Sequence, residues 1–416
     1  MVNAQKWKKW TIGEMISRTK TTIQTGPFGT VLSASEFVDY GIPIISVREI
    51  REGFIRITAE TPCITDDTCS RLRKYALSEK DIVFARKGSV ERSALIPIGL
   101  ERYFLGSDGI RIRFDQNIVS PDLMLYLFQS PSTKQFLIQS SYGTTMAGLN
   151  EKILCALEFY LPETIAEQER IAKILADIDH LLALTEKLIT KKKAIKQGAM
   201  QELLTGKRRL PGFSGEWRYF NLMKNSKVKA RIGWQGLKKS EYLDSGYALL
   251  VTGTDFDDGR VLWDGCHYVT RSRYEQDRNI QLQNNDILIT KDGSLGKAAL
   301  VQGLTKPATL NSGIFVIRPL QDAYDPVFVY QILSSFVFKN FLDRLSAGST
   351  IIHLYQKDVG KFEFLLPPTI AEQKAIAEAL SEMDSDIAAL ENKLTKYRQV
   401  KQGMMQQLLT GKIRLV

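Results

Sequence analysis

The chain repeats itself at an interval of 205 residues, and no other feature constrains its fold as strongly. Leu161-Pro162 and Thr164-Ile165-Ala166-Glu167-Gln168 recur as Leu366-Pro367 and Thr369-Ile370-Ala371-Glu372-Gln373. Leu203-Leu204-Thr205-Gly206-Lys207 recurs at the same interval as Leu408-Leu409-Thr410-Gly411-Lys412. Register holds between these phrases too: Ser35-Glu36-Phe37 falls on Ser240-Glu241-Tyr242, Asp81-Ile82-Val83 on Asp286-Ile287-Leu288, Gly88-Ser89 on Gly293-Ser294, and Pro121 on Pro326. Only the opening stretch of each copy needs an insertion or deletion. Solenoid and propeller units repeat every 20 to 50 residues or so, so this longer period reads as a duplicated pair of domains.

Each copy has a strand-rich first part and a helical last part. Residues 42–47, 81–84 and 109–114 are short β-branched runs between Gly, Pro and Asp turns, and amphipathic helical stretches follow at Pro121–Phe128 and Pro326–Leu333. The last parts carry heptad spacing. Ile376, Leu380, Met383, Ile387, Leu390, Leu394, Tyr397, Lys401, Met404 and Leu408 alternate steps of four and three, and the first copy begins the same series at Ile171, Leu175, Ile178, Leu182, Thr185 and Ile189. That is the seam of one helix packed lengthwise on another. Pro162 and Pro367 punctuate the helix starts, and Gly206 and Gly411 the ends. One helix over residues 166–205 would be about 60 Å long at about 1.5 Å per residue. Because the seam runs the whole length, the two helices are expected to pair antiparallel, closing the chain into a pseudo-two-fold ring. The fold class is therefore α+β: two mixed modules, residues 1–160 and 211–365, joined by the helical segments 161–210 and 366–416.

Composition bounds the function. With 44% hydrophobic and 25% charged residues the 416-residue chain is typical of soluble globular proteins and has room for several domains. No apolar run reaches the roughly 18 residues of a membrane span, and the polar, lysine-rich first ten residues lack a signal core, so a cytoplasmic protein is expected. Cys63, Cys69, Cys155 and Cys266 form no CxxC pair and read as small apolar residues. The net charge of +10 is spread along the chain and suits a polyanionic partner.

Catalytic patterns are missing. His180, His267 and His353 have no second His or Cys at metal-ligand spacing. Gly206-Lys207 and Gly411-Lys412 lack the upstream Gly and following hydroxyl of a phosphate loop. Neither a GxSxG elbow nor a GxGxxG turn occurs. The one Pro-Pro, Pro367-Pro368, is not the Asn/Asp-Pro-Pro-Tyr/Phe of an amino-methyltransferase, and no convincing nuclease carboxylate cluster follows Pro121-Asp122 or Asp325-Pro326. The chain reads as a binder.

At these residues it resembles the specificity subunit of Type I restriction-modification enzymes. That family's pattern is two target-recognition domains, each followed by a helix beginning Leu-Pro-x-x-x-x-Glu-Gln, as at Leu161 to Gln168 and Leu366 to Gln373. Gly26-Pro27-Phe28-Gly29, Gly41-Ile42-Pro43-Ile44 and Gly143-Thr144-Thr145 also fit, and the likeness spans essentially the whole chain. One departure is Gly233-Trp234-Gln235-Gly236 in the second copy, which suggests that the two domains read different bases. The resemblance implies a non-catalytic DNA-binding subunit with no cofactor of its own. Residues 1–160 and 211–365 would be the target-recognition domains and 161–210 and 366–416 the helical spacers. Its target would be double-stranded DNA with two half-sites, their gap set by where the readers are held. Implied partners are two modification subunits, which use S-adenosylmethionine to methylate a flipped adenine, and two ATP- and Mg-dependent restriction subunits.

Base reading needs donors and acceptors on exposed loops, with Arg and Lys suited to guanine and Asn or Gln to adenine. The first copy offers Arg86, Lys87 and Ser89 on a turn after a strand, with Arg92 beyond; the second offers Lys291, Asp292 and Ser294, with Lys297 beyond. Arg48 and Thr252 are expected at the ends of equivalent strands. Thr144 and Thr145, and Ser349 and Thr350, are candidates for phosphate contact through hydroxyl and backbone N–H groups. The plain alternatives are a solvated hairpin tip and a mere connector. Lys191-Lys192-Lys193 reads as a solvated helix face. Two other function classes stay open: the recognition half of a single-chain methyltransferase-nuclease, disfavoured because the chain begins and ends on its repeat, and a coiled-coil scaffold that binds protein.

Overall fold

In the computed structural model, which describes residues 7–99, 101–141, 148–257, 259–346 and 353–415, the strand Ile82–Ala85 is buried on both faces. Ile82 and Phe84 enter a core shared with the helices Ile12–Arg18 and Pro121–Phe128; Val83 and Ala85 enter another with Ile44, Ile45 and Phe104. Successive side chains on a strand point to opposite faces, so an unbroken apolar run marks a strand covered on both sides. It sits inside a four-stranded antiparallel sheet in the order Thr22–Thr25, Gly109–Arg113, Ile82–Ala85, Ser93–Leu95. A second four-stranded sheet runs Cys63–Ile64, Ile42–Ile45, Tyr103–Leu105, Ala76–Leu77, with its middle pair parallel. The expected helix Pro121–Phe128 forms with Ser120 as its cap and Pro121 in its first turn.

The second copy repeats this plan but not every element: its counterpart of the second sheet has three strands, His267–Val269, Ala248–Val251 and Ala308–Leu310. Ile287 and Ile289 of Ile287–Thr290 face one core and Leu288 another. Its main sheet runs Ser226–Lys229, Ile314–Pro319, Ile287–Thr290, Ala298–Leu300, Arg260–Val261, Phe256–Asp257. The last two strands form an added hairpin where the first copy has an isolated bridge between Ile50 and Ile55.

The chain divides into one unit of residues 1–186 with 392–416 and another of residues 187–391. The division cuts both long helices, Ile165–Leu203 and Ile370–Leu408, each 39 residues and one repeat interval apart. In the first unit Asp179 pairs with Lys401 at 2.5 Å and Glu186 with Arg398 at 2.8 Å. In the second, Asp384 pairs with Lys196 and Glu391 with Lys193. Rising positions on one helix meet falling positions on the other, so the segments are antiparallel within each unit. The seam residues Ile376, Leu380, Ile387, Leu394 and Leu408 are buried. Each helix begins in the core of its own copy, through Ile171 and Leu175 or Ile376 and Leu380. Each ends in the core of the other, through Met200, Leu203 and Leu204 or Leu408 and Leu409.

The repeated phrases now have a structural reason. The Gln168 and Gln373 side-chain carbonyls accept from the backbone N–H of Ser120 and Asp325, both at 2.8 Å. Their amides donate to the carbonyls of Pro162 and Pro367 at 2.9 and 3.2 Å. The neighbouring carboxylates receive guanidinium groups from beyond the opposite helix's end, Glu167 from Arg414 and Glu372 from Arg209. Gly206 and Gly411 adopt left-handed φ of +70° and +68°, and the rings of Trp217 and Trp7 lie 3.1 Å from where a Cβ would sit.

The cysteines are free thiols, with Cys63, Cys69 and Cys266 buried; burial pushes the Cys266 thiol up to about 12, which leaves it un-ionised and inert. Among the described residues no helix is long and apolar enough to cross a membrane.

Candidate nucleic-acid interface

Among the described residues, backbone hydrogen bonds gather the turns that carry Arg86 and Lys291 with their neighbours at one edge of each module's sheets. In the first copy Gly26 N–H donates to Gly109 at 3.0 Å, Gly106 to Ile45 at 2.9 Å, Arg86 to Asp108 at 2.8 Å and Leu149 to Arg86 at 2.7 Å. The turns after three strands and before a fourth are thereby stitched together. The second copy keeps the pattern: Lys291 N–H donates to Gly313 at 2.8 Å, Asn311 to Val251 at 2.9 Å and Leu354 to Lys291 at 2.8 Å. Gly88 and Gly293, at the two tips, take φ of +69° and +70° with open space around them. Residues with a Cβ rarely adopt that backbone, which accounts for Gly in both copies.

The side chains on these like backbones differ. Arg86 lies over the Phe28 ring, 4.2 Å from its centroid, and Phe28 is half-exposed. Lys87 pairs with Asp108 at 3.0 Å. Ser89 and Arg92 are half-buried within the turn, and Arg48 is exposed. In the second copy Lys291 sits 5.6 Å from the Phe315 centroid, while the Asp292 carboxylate bonds His353 Nδ1. His353 in turn packs 4.6 Å from the Tyr355 ring. Ser294 uses its carbonyl to accept from the Thr290 hydroxyl. Thr144, Thr145, Ser349 and Thr350 lie outside the described residues.

Two expectations change. Lys297, expected beside the tip as the counterpart of Arg92, donates its ammonium to the Phe256 carbonyl and so holds the added hairpin, an element the first copy lacks. Thr252 ends its strand as expected, but Arg48 lies past the end of the equivalent strand, on the turn beyond Ile45. The interval slips by one residue between Ile42–Ile45 and Ala248–Val251, so Thr252 matches Ser46. Thr252 N–H and hydroxyl both bond the Asp255 carboxylate, at 2.7 and 2.9 Å, as Ser46 N–H bonds Glu49 at 3.0 Å. Thr252 is thus the cap of a turn, whereas Arg48 stands in the open on the corresponding turn. Of the lysine run, Lys192 and Lys193 pair with Asp386 and Glu391, each at 2.7 Å.

Phe28, Asp108 and His353 were not among the candidate contact residues. Phe28 had a signal, an aromatic residue between two turn glycines; His353 had none, because Asp292 lies 61 positions away. Arg231 was also missed. Fully buried, it donates from Nε to the Leu310 carbonyl at 2.8 Å and from Nη2 to the Thr309 hydroxyl at 3.2 Å, bracing the same sheet edge. Desolvation pulls its pKa down. Among the described residues no group of three or more His, Cys, Asp or Glu could hold a metal ion.

Two copies of one α+β module, each running into a long helix whose last turns belong to the other copy's core, define a duplicated architecture with paired, chemically unlike loop edges. A family model described as Type I restriction modification DNA specificity domain matches residues 5–194 and 235–401, and the chain belongs to that family. It is 25% identical over 437 aligned residues to the Type I restriction enzyme MjaVIII specificity subunit of Methanocaldococcus jannaschii, covering 99% of this chain and 94% of that one. Its fold is similar to that of the Type I restriction-modification S subunit from M. genitalium, with a TM-score of 0.62 at 16% identity and 98% of each chain covered. A chain from a study of complex assembly and conformational transition in the type I R-M system gives a TM-score of 0.53 at 16% identity, again over 98% of each chain.

Proposed function

We propose that this chain is the DNA sequence-specificity subunit of a Type I restriction-modification system and binds a bipartite double-stranded target. Residues 1–160 and 211–365 are the two target-recognition domains. The helical segments 161–210 and 366–416 carry two modification subunits and two ATP-dependent restriction subunits, inside the cytoplasm where the DNA lies. The chain itself is non-catalytic; S-adenosylmethionine, ATP and Mg belong to its partners. One observation carries the reading: the same stitched loop edge occurs twice with unlike side chains, as two readers of unlike half-sites require.

The test is expression in a host without such a system, alone and with a modification subunit, followed by sequencing of methylated adenines. Alone, the chain leaves the genome unmodified. With the partner, a bipartite motif appears with one methylated adenine in each half, on opposite strands. A continuous motif, or methylation by the chain alone, would overturn the proposal. Changing Arg86 and Lys87 together to Ala relaxes a single half-site, with discrimination at the affected position falling on the order of ten- to a hundredfold. If assembly with the modification subunit fails instead, the tip is structural.

A further inference from the structure

The two hairpin tips share a backbone and invert its charge. Lys87, Asp108 and Gly148 of the first copy stand where the second has Asp292, Gly313 and His353. In the first copy the carboxylate sits at a strand start and neutralises Lys87 at 3.0 Å. Arg86 is left as the tip's donor group, its plane held by the half-exposed Phe28 ring. In the second copy the carboxylate has moved onto the tip, and His353 holds it from a position where the first copy has no side chain. A Cβ at Gly313 would lie 3.6 Å from Asp292 Oδ2, so an acid there would crowd a second negative charge against it. Each edge therefore accommodates one carboxylate, in one of two places. The Asp292 side chain remains 47% exposed, which leaves it able to accept a further hydrogen bond.

We propose that the two tips read base edges of opposite hydrogen-bonding polarity. Arg86, braced by Phe28, donates to a base presenting acceptors, the N7 and O6 of guanine. Asp292, braced by His353, accepts from an exocyclic amino group, N4 of cytosine or N6 of adenine. An acid facing DNA is repelled by phosphate and is favoured only where a base donor meets it, so Asp292 works largely by rejecting wrong bases. Fixing the carboxylate on His353 and the guanidinium on Phe28 before binding lowers the ordering cost of each contact.

The inference rests on the DNA-specificity reading above, and its test separates the two. The full chain is co-expressed with a modification subunit, and the methylated motif is compared for the wild type, Asp292→Asn, Asp292→Lys, His353→Gln and Arg86→Gln. The wild-type second half-site should require cytosine or adenine at one position, and the base found there identifies which amino group is read. Asp292→Asn and Asp292→Lys should relax or switch that position alone, with discrimination falling on the order of ten- to a hundredfold. His353→Gln should give a smaller change at the same position. Arg86→Gln should do the converse, at a guanine of the first half-site. The untouched half-site in each variant reports that the complex is folded and assembled. A wild-type complex that methylates without a bipartite motif overturns the specificity reading and this inference with it. A bipartite motif that survives Asp292→Lys unchanged overturns this inference alone. Loss of both half-sites under the near-isosteric Asp292→Asn would make the pair structural and sink it equally.

Discussion

Arg209→Ala is expected to destabilise the second unit by about 3–5 kcal/mol, the range found when one member of a buried ion pair is removed. The Glu372 side chain is 0% exposed. It receives Arg209 Nε and Nη2 at 2.6 and 2.7 Å and the Trp217 indole N–H at 3.4 Å. Without the guanidinium a desolvated carboxylate keeps only the indole. Arg209 also holds the carbonyls of Gly215 and Ser214, at 2.5 and 2.9 Å, so the connection leading into the second copy loosens as well. Replacing both partners, as Arg209→Met with Glu372→Met, should cost much less than the single change, because no charge is left buried. Urea unfolding of the full chain measures both variants, with hydrogen exchange used to assign the loss to the second unit, since a chain of two units need not unfold in one step. A loss below about 1 kcal/mol, the scale of an exposed pair, would mean that water reaches Glu372. The matching pair Arg414 and Glu167 should show the same pattern in the first unit, more weakly, because the Glu167 side chain is 8% exposed.

A comparable loss, about 3–5 kcal/mol, is expected for Phe128→Ala. Phe128 is fully buried at the end of the helix Pro121–Phe128. Its ring meets Phe84 edge-on at 4.8 Å and Phe159 edge-on at 5.4 Å, and stacks near Phe114 at 6.3 Å. It therefore ties the two-sided strand Ile82–Ala85 to the strand Glu158–Pro162 that leads into the first long helix. Truncation leaves a cavity and removes the ring contacts, which add about 0.5–1.5 kcal/mol each beyond burial. The two substitutions differ in kind: Arg209→Ala is rescued by a second change, while Phe128→Ala is relieved only by refilling its volume. In the methylating complex the yield of modified DNA should fall for Phe128→Ala while the motif stays as it was. An altered motif would show that this core positions the reading edge as well as supporting it.

The elements themselves were legible because their signals are local and periodic. The heptad series through Ile376, Leu380 and Ile387 specifies a helix whatever the rest of the chain does. The run Ile82-Val83-Phe84 specifies a strand, and the structure adds that both its faces are covered. Pro121 and Pro326, each after a capping residue, mark helix starts. Even the helix ends came within two residues, with Leu203 and Leu408 closing helices expected to reach Thr205 and its repeat. The candidate edge was half legible. The paired glycines at 88 and 293 announced two like tips, and the backbone bonds gather both tips with their neighbouring turns. What each tip's side chains touch was not legible: Lys297 turns inward to a carbonyl 41 residues back, and His353 arrives from 61 residues away.

By itself, then, the sequence determined that one module is built twice, where the long helices, the helices from Pro121 and Pro326 and a few of the strands run, and that each copy offers a glycine turn with different polar neighbours. Tertiary structure alone decided why Glu-Gln is repeated, since the partners of Glu372 and Glu167 lie 163 and 247 positions away. It also decided which tip residues stand free and which are tethered. The physical reason is one of range. Backbone geometry and hydrophobic period act between residues a few positions apart and are written into any short window. An ion pair or a stacked ring depends on where distant loops end, and that is settled only once the cores have packed.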